Sequence, residues 1–272
     1  MTADAVIVFG SPERIGRFWG NEDVFVPVWD MNPLKRIRFQ WVTCGIILAN
    51  FAVYFLLQVG VLFPVSSDTL VAFAVVPNEL VHAGFLSKAL EAAPGAAAGT
   101  VAIPESVTLL TYMFLHANIL HILFNMVFLW VFGDNIEDAM GHLRFLVFYL
   151  LCGVFAGVSH AVLSPTSNIP MIGASGAIAG VIGAYLMLHP NVRVWVLALY
   201  RIPLRFSAGF VIMVWIALQV ISVFTDTGGG VAWWAHIGGL IAGAILILFM
   251  RSPGVPLFDR ATGLEPRTQA HR

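Results

Sequence analysis

Long apolar runs, free of charge, alternate with short polar breaks over most of the chain. Trp41 to Ser67 is the first such run and Ser106 to Gly133 the second, with its helix expected to begin near His116. Phe145 to Val192 is too long for one helix, and Pro165 and Pro170, set among Ser164, Thr166, Ser167 and Asn168, divide it in two. Phe206 to Thr225 and Val231 to Met250 complete the series. A helix that crosses a bilayer needs about 20 apolar residues. The pattern therefore predicts an all-α membrane protein, a six-transmembrane-helix bundle with a long outer loop between helices 1 and 2, from about Pro64 to Leu115. Residues 1–40 read as a cytoplasmic N-terminal segment, 41–250 as the six-helix domain and 251–272 as a cytoplasmic tail.

Composition agrees with that pattern. Of 272 residues 59% are hydrophobic and 11% charged, and mean hydropathy is +0.86. Soluble domains carry about 25% charged residues, so too little polar surface exists to coat a soluble globule. A net charge of −1 gives no sign of nucleic-acid binding. Charge placement orients the bundle. With six alternating helices, 13 of the 14 Lys and Arg residues fall on one side, and only Lys88 lies on the other. The positive-inside rule then predicts a multi-pass inner (plasma) membrane protein with both termini cytoplasmic. MTADAVIVFG lacks the basic start and long apolar core of a cleavable signal. Cys44 and Cys152 lie in apolar stretches and read as small apolar residues.

Polar side chains inside spans are costly and mark function. His121 and Asn125 stand four apart in the second span and share a face. The fourth span opens with Gly173-Ala174-Ser175-Gly176, and the sixth carries His236. With alternating directions and about 1.5 Å of rise per residue, all four polar groups reach a similar shallow depth below the outer surface. Two small-residue stripes, Gly176/Gly180/Ala184 and Ala235/Gly239/Gly243, would let the fourth and sixth helices pack closely. That packing would bring the Ser175 hydroxyl to the His236 imidazole, the arrangement an activated serine requires. The plainer reading is that each residue makes an interhelical hydrogen bond; their joint occurrence at one depth favours a site. No Asp or Glu lies inside a predicted span, which argues against an aspartyl dyad, and the sequence has no HExxH motif. Asp226, ten residues before His236, would be roughly 15 Å away along a helix. The expected site is a Ser–His dyad.

TYMFLHANILHILFNMVFLWVFGDNIEDAMGHLRF at 111–145, GASGAIAGVIGAY at 173–185 and AHIGG at 235–239 resemble, in order, the motifs of the rhomboid proteases. The resemblance covers roughly Trp41 to Met250. It implies Ser175 as nucleophile, His236 as general base, and His121 and Asn125 at the oxyanion pocket. It also implies membrane-spanning protein substrates cut near the outer membrane face, with no cofactor or metal. The residues agree on the oxyanion: Ser175 begins a helix, so its backbone N–H is an unpaired donor at the positive end of the dipole. Two positions depart from the family pattern. Ser106-Val107-Thr108 stands where many members carry Trp-Arg, and Ala179 stands where some place a tyrosine against the catalytic ring, so ring support must come from elsewhere. The glycine-rich stretch 225–230 is expected to be a mobile cap, with the fifth span as lateral gate and Phe124, Phe128 and Trp215 as candidate gate residues. Asn50 and Gln219 read as helix–helix contacts. The competing readings are an inactive rhomboid-like protein that binds or escorts membrane clients, and a solute transporter. Intact Ser175 and His236 weigh against the first. The second would favour intramembrane charge and paired halves.

Overall fold

The computed structural model describes residues 25–62, 65, 67–82, 103–198, 201–225 and 231–259. Strand β1 (Phe25–Asp30) precedes helix α1 (Trp41–Val53), which continues through a π-helical turn, Tyr54–Gln58. Short helices α2 (Ser67–Ala72), α3 (Pro77–His82) and α4 (Glu105–Thr111) follow, the last running into a 3-10 turn, Tyr112–Phe114. Then come α5 (Ile119–Met140), α6 (His142–Leu163), α7 (Ser175–Leu188), β2 (Arg193–Ala198), β3 (Ile202–Ser207), α8 (Ala208–Thr225) and α9 (Trp233–Met250). Among the described residues, five stretches are long and apolar enough to cross a membrane: Trp41–Gln58, Ile119–Met140, His142–Leu163, Ala208–Thr225 and Trp233–Met250. The protein is a mostly helical membrane protein.

The fourth expected span, α7, has 14 residues and falls short of that length. Its position accounts for the difference. Every residue from Gly176 to Tyr185 is buried, and α7 packs on α9, α6 and α5. A helix surrounded by protein has its polar ends covered by neighbours, so it need not match the bilayer thickness. The small-residue stripes meet as expected. A Cβ added at Gly239 would collide with the Gly176 carbonyl, and one at Gly243 with the Gly180 backbone. Only glycine allows this backbone-to-backbone approach.

The structure corrects two expectations. Helix α5 does not end at Gly133 but runs to Met140, so Asp134, Glu137 and Asp138 lie inside a span-length helix. They are tolerated there because they have partners. Glu137 accepts from the Val42 and Thr43 backbone N–H groups at 3.0 and 2.8 Å and from the Thr43 hydroxyl at 2.7 Å. These donors open α1, whose first turn has no intrahelical acceptors, so the carboxylate caps α1 from α5. Asp138 likewise accepts from the backbone N–H groups of Lys35, Arg36 and Ile37 at 3.1, 2.6 and 2.7 Å.

Nor is the chain all-α. β1, β2 and β3 form one antiparallel sheet in that order, with Phe25 opposite Ala198 and Trp195 opposite Arg205. Val26, Pro27, Val194, Val196 and Ala198 are buried in it. Asp30 ties the sheet to the bundle by accepting from the Tyr185 hydroxyl at 2.6 Å and the Asn135 amide at 2.9 Å. Burial pushes the Asp30 carboxyl up to about 6, against the opposing pull of the Tyr185 hydroxyl.

At the Ser175 end, the chain between the first two long helices folds back onto the bundle. Val75 and Met171 exchange backbone hydrogen bonds of 3.1 and 2.7 Å, and Asn78 N–H reaches Ser167 O at 3.0 Å. The Thr111 hydroxyl donates to Phe73 O at 2.8 Å. Gln58 holds both backbone groups of His116, accepting from its N–H and donating to its carbonyl, each at 2.8 Å. Residues 83–102 of the expected long loop lie outside the described residues.

Candidate active site

Gly173 sets the entry to α7. Its φ of +123° lies where side chains are rarely tolerated, and its N–H donates to Tyr112 O at 2.9 Å. The turn starts α7 at Ser175, leaving that residue's backbone N–H without an acceptor one turn back. Ser175 and His236 are both partly buried. The stripe packing of α7 on α9 brings His236 Nε2 to 2.8 Å from Ser175 Oγ. A hydroxyl and an imidazole at this distance can exchange a proton.

The other face of the serine turn meets α5. A Cβ built on Gly173 would sit 2.8 Å from both Cε1 and Nε2 of His121 and 3.8 Å from Ser175 Oγ. The His121 ring edge and the Ser175 hydroxyl therefore flank the bare Gly173 α-carbon. Asn118 caps α5 by accepting from the His121 N–H at 2.9 Å. His121 Nδ1 accepts from the Ala117 N–H at 3.4 Å, which leaves Nε2 as the protonated nitrogen beside Gly173. His116 stacks edge-on against His121 with ring centroids 5.1 Å apart. Asn125 lies one turn further along the same face and is buried, and its Nδ2 has no hydrogen-bond partner among the described residues. A buried unpaired donor costs about 1–3 kcal/mol, and such a cost is expected where a donor awaits a substrate atom.

Ring support for His236 comes from two tryptophans, each 6.0 Å away between ring centroids: Trp215, tilted by 37°, and Trp233, edge-on at 83°. Trp215, one of the candidate gate residues, is thus a ring neighbour of the imidazole. Phe128 packs against Phe132 at 6.1 Å within α5, and Phe124 is half-buried on the same helix. Residues 226–230 of the expected cap lie outside the described residues. Gln219, read from sequence as a helix contact, places Oε1 2.6 Å from His236 Nδ1. Its signal in the sequence was a lone amide in the apolar run of α8.

The chain matches a family model, that of the Rhomboid domain, over residues 104–253. The chain belongs to the rhomboid family. It is 31% identical over 195 residues to Rhomboid protease GluP of Bacillus subtilis, across 72% of this chain and 32% of that protein. It is 34% identical over 149 residues to the mitochondrial RHOMBOID-like protein 6 of Arabidopsis thaliana, across 54% of this chain and 45% of that protein. To Putative rhomboid protease YdcA of Bacillus subtilis it is 36% identical over 80 residues, 29% of this chain and 40% of that one. The chain spans 32% to 45% of the length of these relatives. The matched rhomboid region contains every residue of the site described above.

Proposed function

We propose that this rhomboid is an intramembrane serine endopeptidase that cuts membrane-spanning proteins near the membrane face at which α7 begins. The observation that carries the reading is the 2.8 Å contact between His236 Nε2 and Ser175 Oγ. His236 takes the hydroxyl proton as Oγ attacks the substrate carbonyl carbon. The oxyanion that forms accepts from the Ser175 backbone N–H, the His121 Nε2–H and the Asn125 amide. Collapse expels the amine, which takes its proton from His236, and leaves an acyl-enzyme. Water, deprotonated by the same imidazole, releases the second product. This chemistry needs no metal or cofactor.

The distribution of basic residues supports the side of cleavage. With six alternating helices, 13 of the 14 would fall on the side at which α7 ends, which supports an outward-facing Ser175 and cytoplasmic termini. The bilayer supplies the substrates, whose approach between α5 and α8 would pass Phe124, Phe128 and Trp215.

The test is co-expression with a panel of single-span substrates, wild type against Ser175→Ala and His236→Ala. Cleavage lost in both variants, with each still folded, supports the reading. Cleavage by Ser175→Ala at the wild-type rate removes the assignment. No cleavage by wild type, with client levels equally altered by Ser175→Ala, would indicate a rhomboid-like escort protein.

A further inference from the structure

We infer that Gln219 is the positioning residue of the site, an uncharged third member that selects the tautomer of His236. In its kinetic part the inference rests on the reading of Ser175 and His236 as the reacting pair.

Helix α8 reads AGFVIMVWIALQVISVFT, and Gln219 is the one amide side chain in it. The residue is 4% exposed. A primary amide buried in an apolar helix loses solvation that only hydrogen bonds replace, and its oxygen has found His236 Nδ1 at 2.6 Å. A carbonyl oxygen can only accept, so Nδ1 must carry the proton. Neutral imidazole has a single N–H. Nε2 therefore presents its lone pair to the Ser175 hydroxyl, the one tautomer that can act as base. Trp215, one turn before Gln219 on the same helix, sets its ring 6.0 Å from the imidazole, tilted by 37°, so α8 brings both a ring neighbour and a hydrogen-bond acceptor to His236.

The residue type suits its surroundings. In soluble triads a carboxylate orients the histidine. An unpaired carboxylate in a lipid-embedded bundle is expensive, whereas an amide oxygen accepts the same hydrogen bond at no cost in charge. The geometry also links helix position to chemistry. Ser175 and His236 are held by α7 and α9, which touch backbone to backbone, while the acceptor comes from α8. Few residues bury α8 against the rest of the bundle: Ala208, Ile212, Gln219 and Ser222. A shift of α8 would release Nδ1 without disturbing the serine–histidine distance set by the other two helices.

Two substitutions separate the roles. Gln219→Met keeps length and apolar packing but removes the acceptor. Gln219→Glu keeps the acceptor and removes the amide donor. Cleavage of a single-span substrate in detergent should show kcat falling roughly tenfold in Gln219→Met, the worth of one net hydrogen bond, with KM and thermal midpoint near wild type. Gln219→Glu should retain turnover, with the acid limb of its pH profile moved to higher pH because a carboxylate favours the imidazolium.

Ring ¹⁵N chemical shifts of His236, assigned by loss of the signal in His236→Gln, read the tautomer directly. They should report Nδ1–H in wild type and Gln219→Glu, and a tautomer mixture in Gln219→Met. An unchanged tautomer and unchanged kcat in Gln219→Met would overturn the inference, as would an Nε2–H tautomer in wild type. Because the shifts need no turnover, they decide the role of Gln219 even if wild type proves unable to cleave. That last result would count only against the protease reading.

Discussion

At the scale of single residues, the site rests on groups held where they would otherwise be unfavourable. Gly173 is one. Its φ of +123° and the 2.8 Å approach of the His121 ring leave no room for a Cβ. Gly173→Ala should remove activity and lower the thermal midpoint in detergent, by strain alone on the order of 1–3 kcal/mol. A variant as stable and active as wild type would contradict the assigned turn. Asn125 is the opposite case. Its buried Nδ2 has no partner among the described residues, so deleting the amide relieves an unmet donor. Asn125→Ala should cut kcat by about 10²–10³ while the thermal midpoint stays at or above that of wild type. A lowered midpoint with wild-type turnover would make Asn125 a structural contact. Ser175, His236, His121 and Asn125 were legible in the sequence because polar groups in apolar helices stand out and their depths could be counted. Gln219 stood out equally, but its partner lies 17 residues away on another helix, and no spacing rule links the two.

Between elements, the α7–α9 contact governs alignment. Gly243 faces the Gly180 backbone so closely that any side chain must push the helices apart. Gly243→Ala should cost about 1–3 kcal/mol by overpacking and should also separate Ser175 from His236, lowering kcat. Gly45→Ala on α1 is the control, since a Cβ there meets nothing within 4 Å, and its stability should equal or exceed that of wild type. Equal effects of the two substitutions on unfolding would refute the packing argument. Glu137 is the second inter-element tie. Glu137→Ala strands the Val42 and Thr43 N–H groups and the Thr43 hydroxyl, and the expected loss of roughly 1–3 kcal/mol is measurable by chemical denaturation in detergent. The facing stripes were readable as periodic small residues. The capping carboxylates were not, because the apolar pattern alone placed the end of the helix at Gly133.

Over the whole molecule, the sheet joins the strand before the first helix to the hairpin between α7 and α8, and Asp30 anchors it to Tyr185 and Asn135. Its carboxyl has a folded pKa of about 6, raised by burial from 3.8. The sign follows from linkage. Between those values the folded state binds more protons than the unfolded chain, so stability falls as pH rises through this window and stays lower above it. Asp30→Asn removes the ionisation and can still accept from Tyr185. It should therefore be more stable than wild type at pH 8, by up to about 3 kcal/mol, with the advantage fading toward pH 4. A stability difference independent of pH would show that Asp30 does not ionise on folding.

The linear pattern was enough to establish the membrane medium, the mostly helical character and the meeting of Ser175 with His236. Each of these depends on one-dimensional quantities: apolar run length, charge placement, and the spacing of small and polar residues along a helix. The tertiary structure alone decided the rest. It shortened the central helix, since a helix shielded by α5, α6 and α9 is not held to the bilayer thickness. It drew Asp134, Glu137 and Asp138 into α5, since a carboxylate is admissible wherever distant backbone donors satisfy it. It paired β1 with a hairpin some 170 residues later, a pairing that short strands do not announce. It also set Gln219 and Trp215 of α8 against His236, because which faces of two helices meet depends on how all of them pack together.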